Sequence, residues 1–192
     1  MINMANVFSI RFHGRGGQGA KTASALLAEA ALHKGKFIQS FPEYGAERMG
    51  APVKAFTRIS DKPIRIHYGV KNPDLVVVVD YSLVSKINVT EGLDDDGILL
   101  VNTSEKVSDV KKKLNFKGKI YTIDASRIAV DEYKKNVPNT PLLGAIVKVT
   151  NIVELNDLKN ELEIKMKGKL GDEIFQKNLT ALDRAYNELN ID

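Results

Sequence analysis

Gly14-Arg15-Gly16-Gly17-Gln18-Gly19 is the stretch of this sequence best suited to hold an anion. It fits a G-x-G-x-x-G pattern. Glycine permits positive φ and lets a backbone come close to a ligand. The helix expected after it starts with unbonded N–H groups, where a phosphate is favoured. Three uses fit this pattern: a nicotinamide or flavin dinucleotide, a phosphate-bearing group or a partner's backbone, or a turn with no ligand. A dinucleotide wants an acid about 20 residues further on, at the end of the second strand, for the ribose hydroxyls. That place reads Phe37-Ile38-Gln39-Ser40-Phe41-Pro42, and the first acid is Glu43, which weakens the dinucleotide reading. No Gly-Lys-Ser/Thr follows at the spacing a P-loop needs.

Two further stretches carry polar groups in unusual company. Phe41-Pro42-Glu43-Tyr44-Gly45-Ala46-Glu47-Arg48-Met49-Gly50-Ala51-Pro52 sets two acids and an arginine between glycines and prolines. Loops of this length in compact domains are often functional. Glu43, Tyr44, Glu47 and Arg48 are therefore candidates for an interface or cleft. A general acid–base role for Glu43 or Glu47 competes with the commoner role of salt-bridge partner or cap. In Asn136-Val137-Pro138-Asn139-Thr140-Pro141-Leu142-Leu143-Gly144-Ala145, Thr140 can cap a helix that begins with Pro141. Alternatively, Asn139 and Thr140 line a cleft above the strand ends.

The elements around these stretches alternate. Val7 to Phe12 reads as a buried strand, and Gln18 to Lys34 as an Ala- and Leu-rich helix stopped by Gly35. Phe37 to Phe41 is a second strand, Pro42 to Pro52 a loop, and Val53 to Ile59 an alternating strand. Asp61-Lys62-Pro63 turns the chain, and Ile64 to His67 can return as a hairpin. Leu75 to Asp80 suits a central strand buried on both faces. Ile98 to Asn102 and Lys119 to Asp124 are two more strands, each followed by helix-compatible sequence, which implies a parallel α/β sheet. From Pro141 the chain turns helical. Phe175, Leu179, Leu182, Tyr186 and Leu189 form a stripe that docks either on this chain's own core or on another subunit.

Composition removes whole classes of function. The 192 residues include no cysteine, which excludes a disulfide, a thiol nucleophile and a Cys-ligated iron–sulfur cluster. His13, His33 and His67 are scattered with no HxxxH or HExxH pair, so neither a metal site nor a Ser-His-Asp arrangement is expected. No catalytic residue is assigned. The net charge of +4 is mild, and the run Lys111 to Lys113 reads as a solvated helix face. Nucleic-acid binding is not expected, although an acidic partner, a nucleotide or coenzyme A remains compatible. No apolar run approaches the roughly 20 residues that cross a bilayer. No signal-peptide pattern opens the chain, so the expected location is cytoplasmic.

Taken together, GRGGQGAKTASALLAEAA, FPEYGAERMGAPVKAFTRI and NTPLLGA resemble the gamma subunit, or corresponding domain, of pyruvate/ketoisovalerate:ferredoxin oxidoreductases. The resemblance runs from about Val7 to Val149. Related 2-oxoglutarate enzymes show a shorter S-Y-G-P-E-x-R-G-G pattern, whereas Phe41 to Tyr44 and Gly50 to Pro52 look like the pyruvate or branched-chain version. Ala46 stands where proline is usual and Met49 where arginine is common.

The resemblance implies a three-layer Rossmann-like α/β domain with a mostly parallel sheet and C-terminal helices. It spans 1–192 as one unit, with an α/β core at about 7–150 and a helical part at 151–192. It also implies a non-redox subunit of an enzyme that converts a 2-oxoacid, coenzyme A and oxidised ferredoxin to acyl-CoA, CO₂ and reduced ferredoxin. Thiamine diphosphate, Mg²⁺ and iron–sulfur clusters would then sit on alpha, beta and delta subunits, with ferredoxin reached through the complex. The chain has no Gly-Asp-Gly followed by Asn-Asn, the usual thiamine diphosphate–Mg²⁺ pattern. Gly14 to Gly19 and Glu43 to Arg48 would face those partners or coenzyme A, and the isolated chain would be inactive. The alternative is a free-standing coenzyme A- or nucleotide-binding module.

Overall fold

The computed structural model describes residues 7–44 and 50–191. Its strands are β1 (Val7–Arg15), β2 (Phe37–Tyr44), β3 (Pro52–Ser60), β4 (Leu75–Val78), β5 (Ile98–Asn102), β6 (Lys119–Ile123) and β7 (Asn190–Ile191). They form one sheet in the order β2-β3-β1-β4-β5-β6-β7. β1, β4, β5 and β6 are parallel neighbours. β3 runs against β1 and β2 against β3, so β2 points the same way as β1. With β7 antiparallel to β6, only β3 and β7 oppose the common direction, and the sheet is mostly parallel.

The helices are α1 (Ala20–Leu32), α2 (Val107–Leu114), α3 (Ala125–Tyr133), α4 (Asn139–Thr150), α5 (Leu155–Leu162), a π turn (Glu163–Lys167), the single turn α6 (Gly168–Leu170) and α7 (Asp172–Asn187). Strand periodicity sorts the core into two layers. Leu75, Val77, Val79 and Leu100 face α1, α3, α4, α5 and α7. Val76, Val78, Leu99, Val101 and Ile120 face α2 and the segment around Leu83 to Leu93. The continuous LVVVV run is therefore buried on both faces, as its composition demands. Each such side chain contributes about 1.5–3 kcal/mol by leaving water. The α7 stripe docks on the first layer: Phe175 and Leu182 are buried there, and Leu179, Tyr186 and Leu189 pack against it. At Gly144 a Cβ would lie 2.2 Å from the Leu182 carbonyl oxygen, so glycine is what lets α4 and α7 cross so closely.

Several boundaries depart from the sequence reading, each for a local reason. β1 runs on to Arg15 because Gly14 and Arg15 pair with Val53 and Pro52. β2 continues through Pro42, Glu43 and Tyr44, which were expected in a loop. It is an edge strand, where proline is tolerated. Ile64 to His67 forms no strand and no hairpin: Gln39 donates to the Ile66 carbonyl, and Arg58 to the carbonyl of the adjoining Tyr68. α1 starts at Ala20 rather than Gln18, after Gly19 in the left-handed region. α4 starts at Asn139, and no side chain caps it, so Thr140 is not its cap. The lysine run closes α2, where cations suit the helix C-terminus. Among the described residues, no helix is long and apolar enough to cross a membrane.

Candidate functional site

The glycine loop lies at the carboxyl end of β1, beside the carboxyl end of its parallel neighbour β4. In open α/β sheets, ligands settle in the crevice outside such strand ends. Two side chains of the loop turn inward. Gln18 Oε1 accepts from the Arg15 backbone N–H at 2.8 Å, and Gln18 Nε2 donates to Asp80 Oδ2 at 2.7 Å. Arg15 places Nε 3.1 Å from Asp80 Oδ2 and donates to the Gly50 carbonyl and to Ser82 Oγ, both at 2.9 Å. Asp80 Oδ1 accepts from the Ser82 N–H at 2.9 Å. Partial burial alone would raise the Asp80 carboxyl. The Ser82 and Gln18 hydrogen bonds and the Arg15 guanidinium outweigh it and hold the group below the usual carboxylate range.

What the loop still offers a ligand is backbone. The N–H of Gly16 goes to Ala51 and that of Gln18 to Arg15. Gly17 and Gly19 hold φ values of 91° and 80°, and α1 begins with no side-chain cap. Next to it is the start of α4, also uncapped. The two helix starts touch, because a Cβ on Gly19 would lie 2.8 Å from Asn139 Cβ and Cγ. Asn139 is 7% exposed. Among the described residues, no hydrogen bond engages its side chain. The site therefore presents unspent N–H groups of two helices and a free amide, the donor set an anion needs.

The three stretches singled out in the sequence thus meet, though not with every residue expected. Gly14 to Gly19 contact Gly50 and Ala51 on one side and Asn139 on the other. Thr140 does not line the cleft. It is fully buried and donates to Asn178 Oδ1 at 3.0 Å, which makes it part of the α4–α7 joint. Glu43 is exposed and sits 3.9 Å from Lys54, in a depression of about 580 Å³ shared with Arg11, Phe56 and Glu91. Tyr44 pairs with Val53 at the end of β2. Glu47 and Arg48 lie outside the described residues.

Sequence reasoning missed two groups. Asp80 is the acid at the end of the strand that is β1's true parallel neighbour, and its signal was a carboxylate directly after LVVVV. Arg11 is 4% exposed, on the face of β1 opposite Ile10 and Phe12. It donates to the carbonyls of Val70, Lys71, Val89 and Glu91, and its Nε donates to His13 Nε2 at 3.0 Å. Burial, then the charges of Arg11 and Lys54, push the His13 imidazole down to about 3. His13 is therefore neutral near pH 7 and accepts through Nε2. The cue was alternation: polar Arg11 and His13 interleave with apolar residues on a strand that otherwise reads as core.

Known proteins match this chain over nearly its whole length. The family model described as pyruvate ferredoxin/flavodoxin oxidoreductase matches residues 9–188. Pyruvate synthase subunit PorC of Thermotoga maritima is 53% identical over 182 residues, which is 95% of this chain and 94% of that protein. The pyruvate/ketoisovalerate oxidoreductases common subunit gamma of Thermococcus kodakarensis is 46% identical over 95% of this chain and 97% of its own. The crystal structure of pyruvate oxidoreductase subunit PORC from Thermotoga maritima superposes with a TM-score of 0.87 at 50% identity, covering 96% of this chain and 98% of that one. With this agreement in sequence and fold, the chain belongs to the pyruvate ferredoxin/flavodoxin oxidoreductase family.

Proposed function

We propose that this chain is the non-redox gamma-type subunit of a 2-oxoacid:ferredoxin oxidoreductase, with pyruvate as the 2-oxoacid. The near end-to-end similarity to a pyruvate synthase subunit carries the reading. The absence of cysteine supports a division of labour in which iron–sulfur clusters sit elsewhere. In this reading thiamine diphosphate, Mg²⁺ and the clusters belong to alpha, beta and delta subunits. Ferredoxin is met through the complex, and the assembly works in the cytoplasm. The chain acts as one domain, 1–192, that closes the active-site region.

At the glycine loop the proposed ligand is a phosphate of coenzyme A, or else a partner's backbone. Coenzyme A supplies the thiol that takes the acyl group. This chain's part is to bind and orient it. Open space at Gly17, the uncapped starts of α1 and α4, and the free Asn139 amide suit a phosphate. Arg15 and Gln18 would shape the loop, since both are tied to Asp80. Glu43, Tyr44, Glu47 and Arg48 are the proposed subunit interface. The test is co-purification of the native complex, with reconstitution of pyruvate oxidation from its separated subunits. Activity should need this chain together with its partners. Pyruvate oxidation by the chain alone would sink the proposal, and tight calorimetric binding of coenzyme A or NAD without partners would favour a free-standing module.

A further inference from the structure

The joint between the end of α1 and the α5–π segment holds a charged cluster that this function leaves unused. Glu161, near the end of α5, is wholly buried. Its Oε2 lies 2.7 Å from His33 Nε2, and its Oε1 has no hydrogen-bond partner. Glu29 and His33 face it from α1, and Lys165 faces it from the π turn. Lys165 is nearer to Glu29, at 3.0 Å, than to Glu161, at 3.8 Å. One turn earlier on α5, Asp157 is taken by Lys34 of α1 at 3.1 Å. Elsewhere on α5, Lys159 pairs with Asp183 of α7.

The charges of this cluster do not balance without a proton. With Glu29 and Glu161 ionised, Lys165 cancels one of them, and the remaining negative charge falls on a buried carboxylate. An uncompensated buried charge is costly. One proton on the His33–Glu161 pair restores neutrality. The lysine that shares the cluster sits on a π turn with no buried residue, a local departure from the α-helical ladder.

We propose that the His33–Glu161 pair is a proton-operated latch, which fastens α5 and the π turn to α1 at lower pH and releases them as pH rises. Burial raises the Glu161 carboxyl above its ordinary range, with His33 opposing the shift and Glu29 adding to it. A carboxyl raised in the closed state binds a proton that opening gives up. Closure is therefore favoured below the open-state value and lost as pH climbs through the closed-state one.

Amide hydrogen exchange on the full chain from pH 4.5, the ordinary value of the group, up to pH 8, corrected for intrinsic rates, tests the latch. The opening constant of residues 155–167 should rise with pH above the ordinary carboxyl value, by up to about tenfold per pH unit, the limit for one proton, and level off above the closed-state value. Strands β4 and β5 should show no such slope. Glu161→Gln keeps the shape and a hydrogen bond to His33 without the charge, so the slope should vanish and protection should stay high. A wild-type segment with no slope, or a Glu161→Gln segment with the wild-type slope, overturns the proposal. Should that variant fail to fold, carboxyl-carbon NMR of wild-type Glu161 decides. Titration above the range of exposed glutamates supports the latch, and titration within that range overturns it.

Discussion

Arg11 and Arg15 stand four residues apart on the same face of β1, yet their surroundings give them opposite work. Arg11 is buried, and its partners are four carbonyl oxygens and a neutral histidine. Among the described residues, no carboxylate forms an ion pair with it. It pins the backbone at 70–71 and 89–91 against its face of the sheet. Arg15 is about one-fifth exposed, and a carboxylate, a hydroxyl and a carbonyl share its guanidinium. It ties the glycine loop to Asp80 and to the end of the second motif. Burial thus makes the first arginine a fastener of the fold, and the strand end makes the second a fastener of the site.

Four measurements would break or sharpen this contrast. Arg11→Met should have the largest effect near pH 7, destabilising the isolated chain by about 3 kcal/mol in denaturant unfolding, because several buried carbonyls lose their donor at once. A loss under 1 kcal/mol would place Arg11 with Arg15. His13 belongs to the same buried region. Its pKa is depressed to about 3 from 6.5, so the folded chain binds fewer protons than the unfolded one. Stability should therefore fall as pH drops from 6.5 toward 3, by up to about 1.4 kcal/mol per pH unit. His13→Gln should flatten that limb, and an unchanged limb would assign it to carboxylates.

At the site end the stability effects shrink. Asp80→Asn should cost about 1–2 kcal/mol near pH 7, since it weakens charge-assisted bonds to Arg15, Gln18 and Ser82. The folded value of Asp80 lies below its ordinary one. Its contribution is therefore present above the ordinary value and lost as pH falls through the folded one, and the variant should lose less stability in acid than wild type. Arg15→Lys should change the chain's own stability least, by under about 1 kcal/mol. It should nonetheless weaken assembly or coenzyme A use in the reconstituted complex, because lysine cannot hold three acceptors in one plane. Equal loss of stability and of assembly would dissolve the distinction between the two arginines.

Much of this was legible along the chain because it depends on local pattern. The LVVVV run announced a strand buried on both faces, the Ala- and Leu-rich stretch announced α1, and GRGGQG announced an anion-compatible strand-to-helix turn. Zero cysteines excluded cluster chemistry without any coordinates. The three motifs also read correctly as a group that belongs together. The resemblance to the oxidoreductase family rested on them, and the match over residues 9–188 extends it to the helical end.

What only the tertiary structure decided depends on which strand lies beside which. A ribose-binding acid is expected from the sequence at the end of β2, but β3 separates β2 from β1, and the strand beside β1 on the other side is β4. The acid at that neighbour's end is Asp80, which Arg15 and Gln18 occupy. Likewise Asn139 and Thr140 are adjacent in sequence yet divide their labour. The first lies against Gly19 at the loop, and the second is sealed between α4 and α7 by a hydrogen bond to Asn178. Burial decided their roles, and burial depends on packing between residues far apart in the chain. The sequence by itself determined most of the strands and helices, though not all their bounds, and the kinds of groups available. The sheet order and the α4–α7 crossing determined which of those groups remain free to meet a ligand, because a polar atom already bonded within the fold has little left to offer.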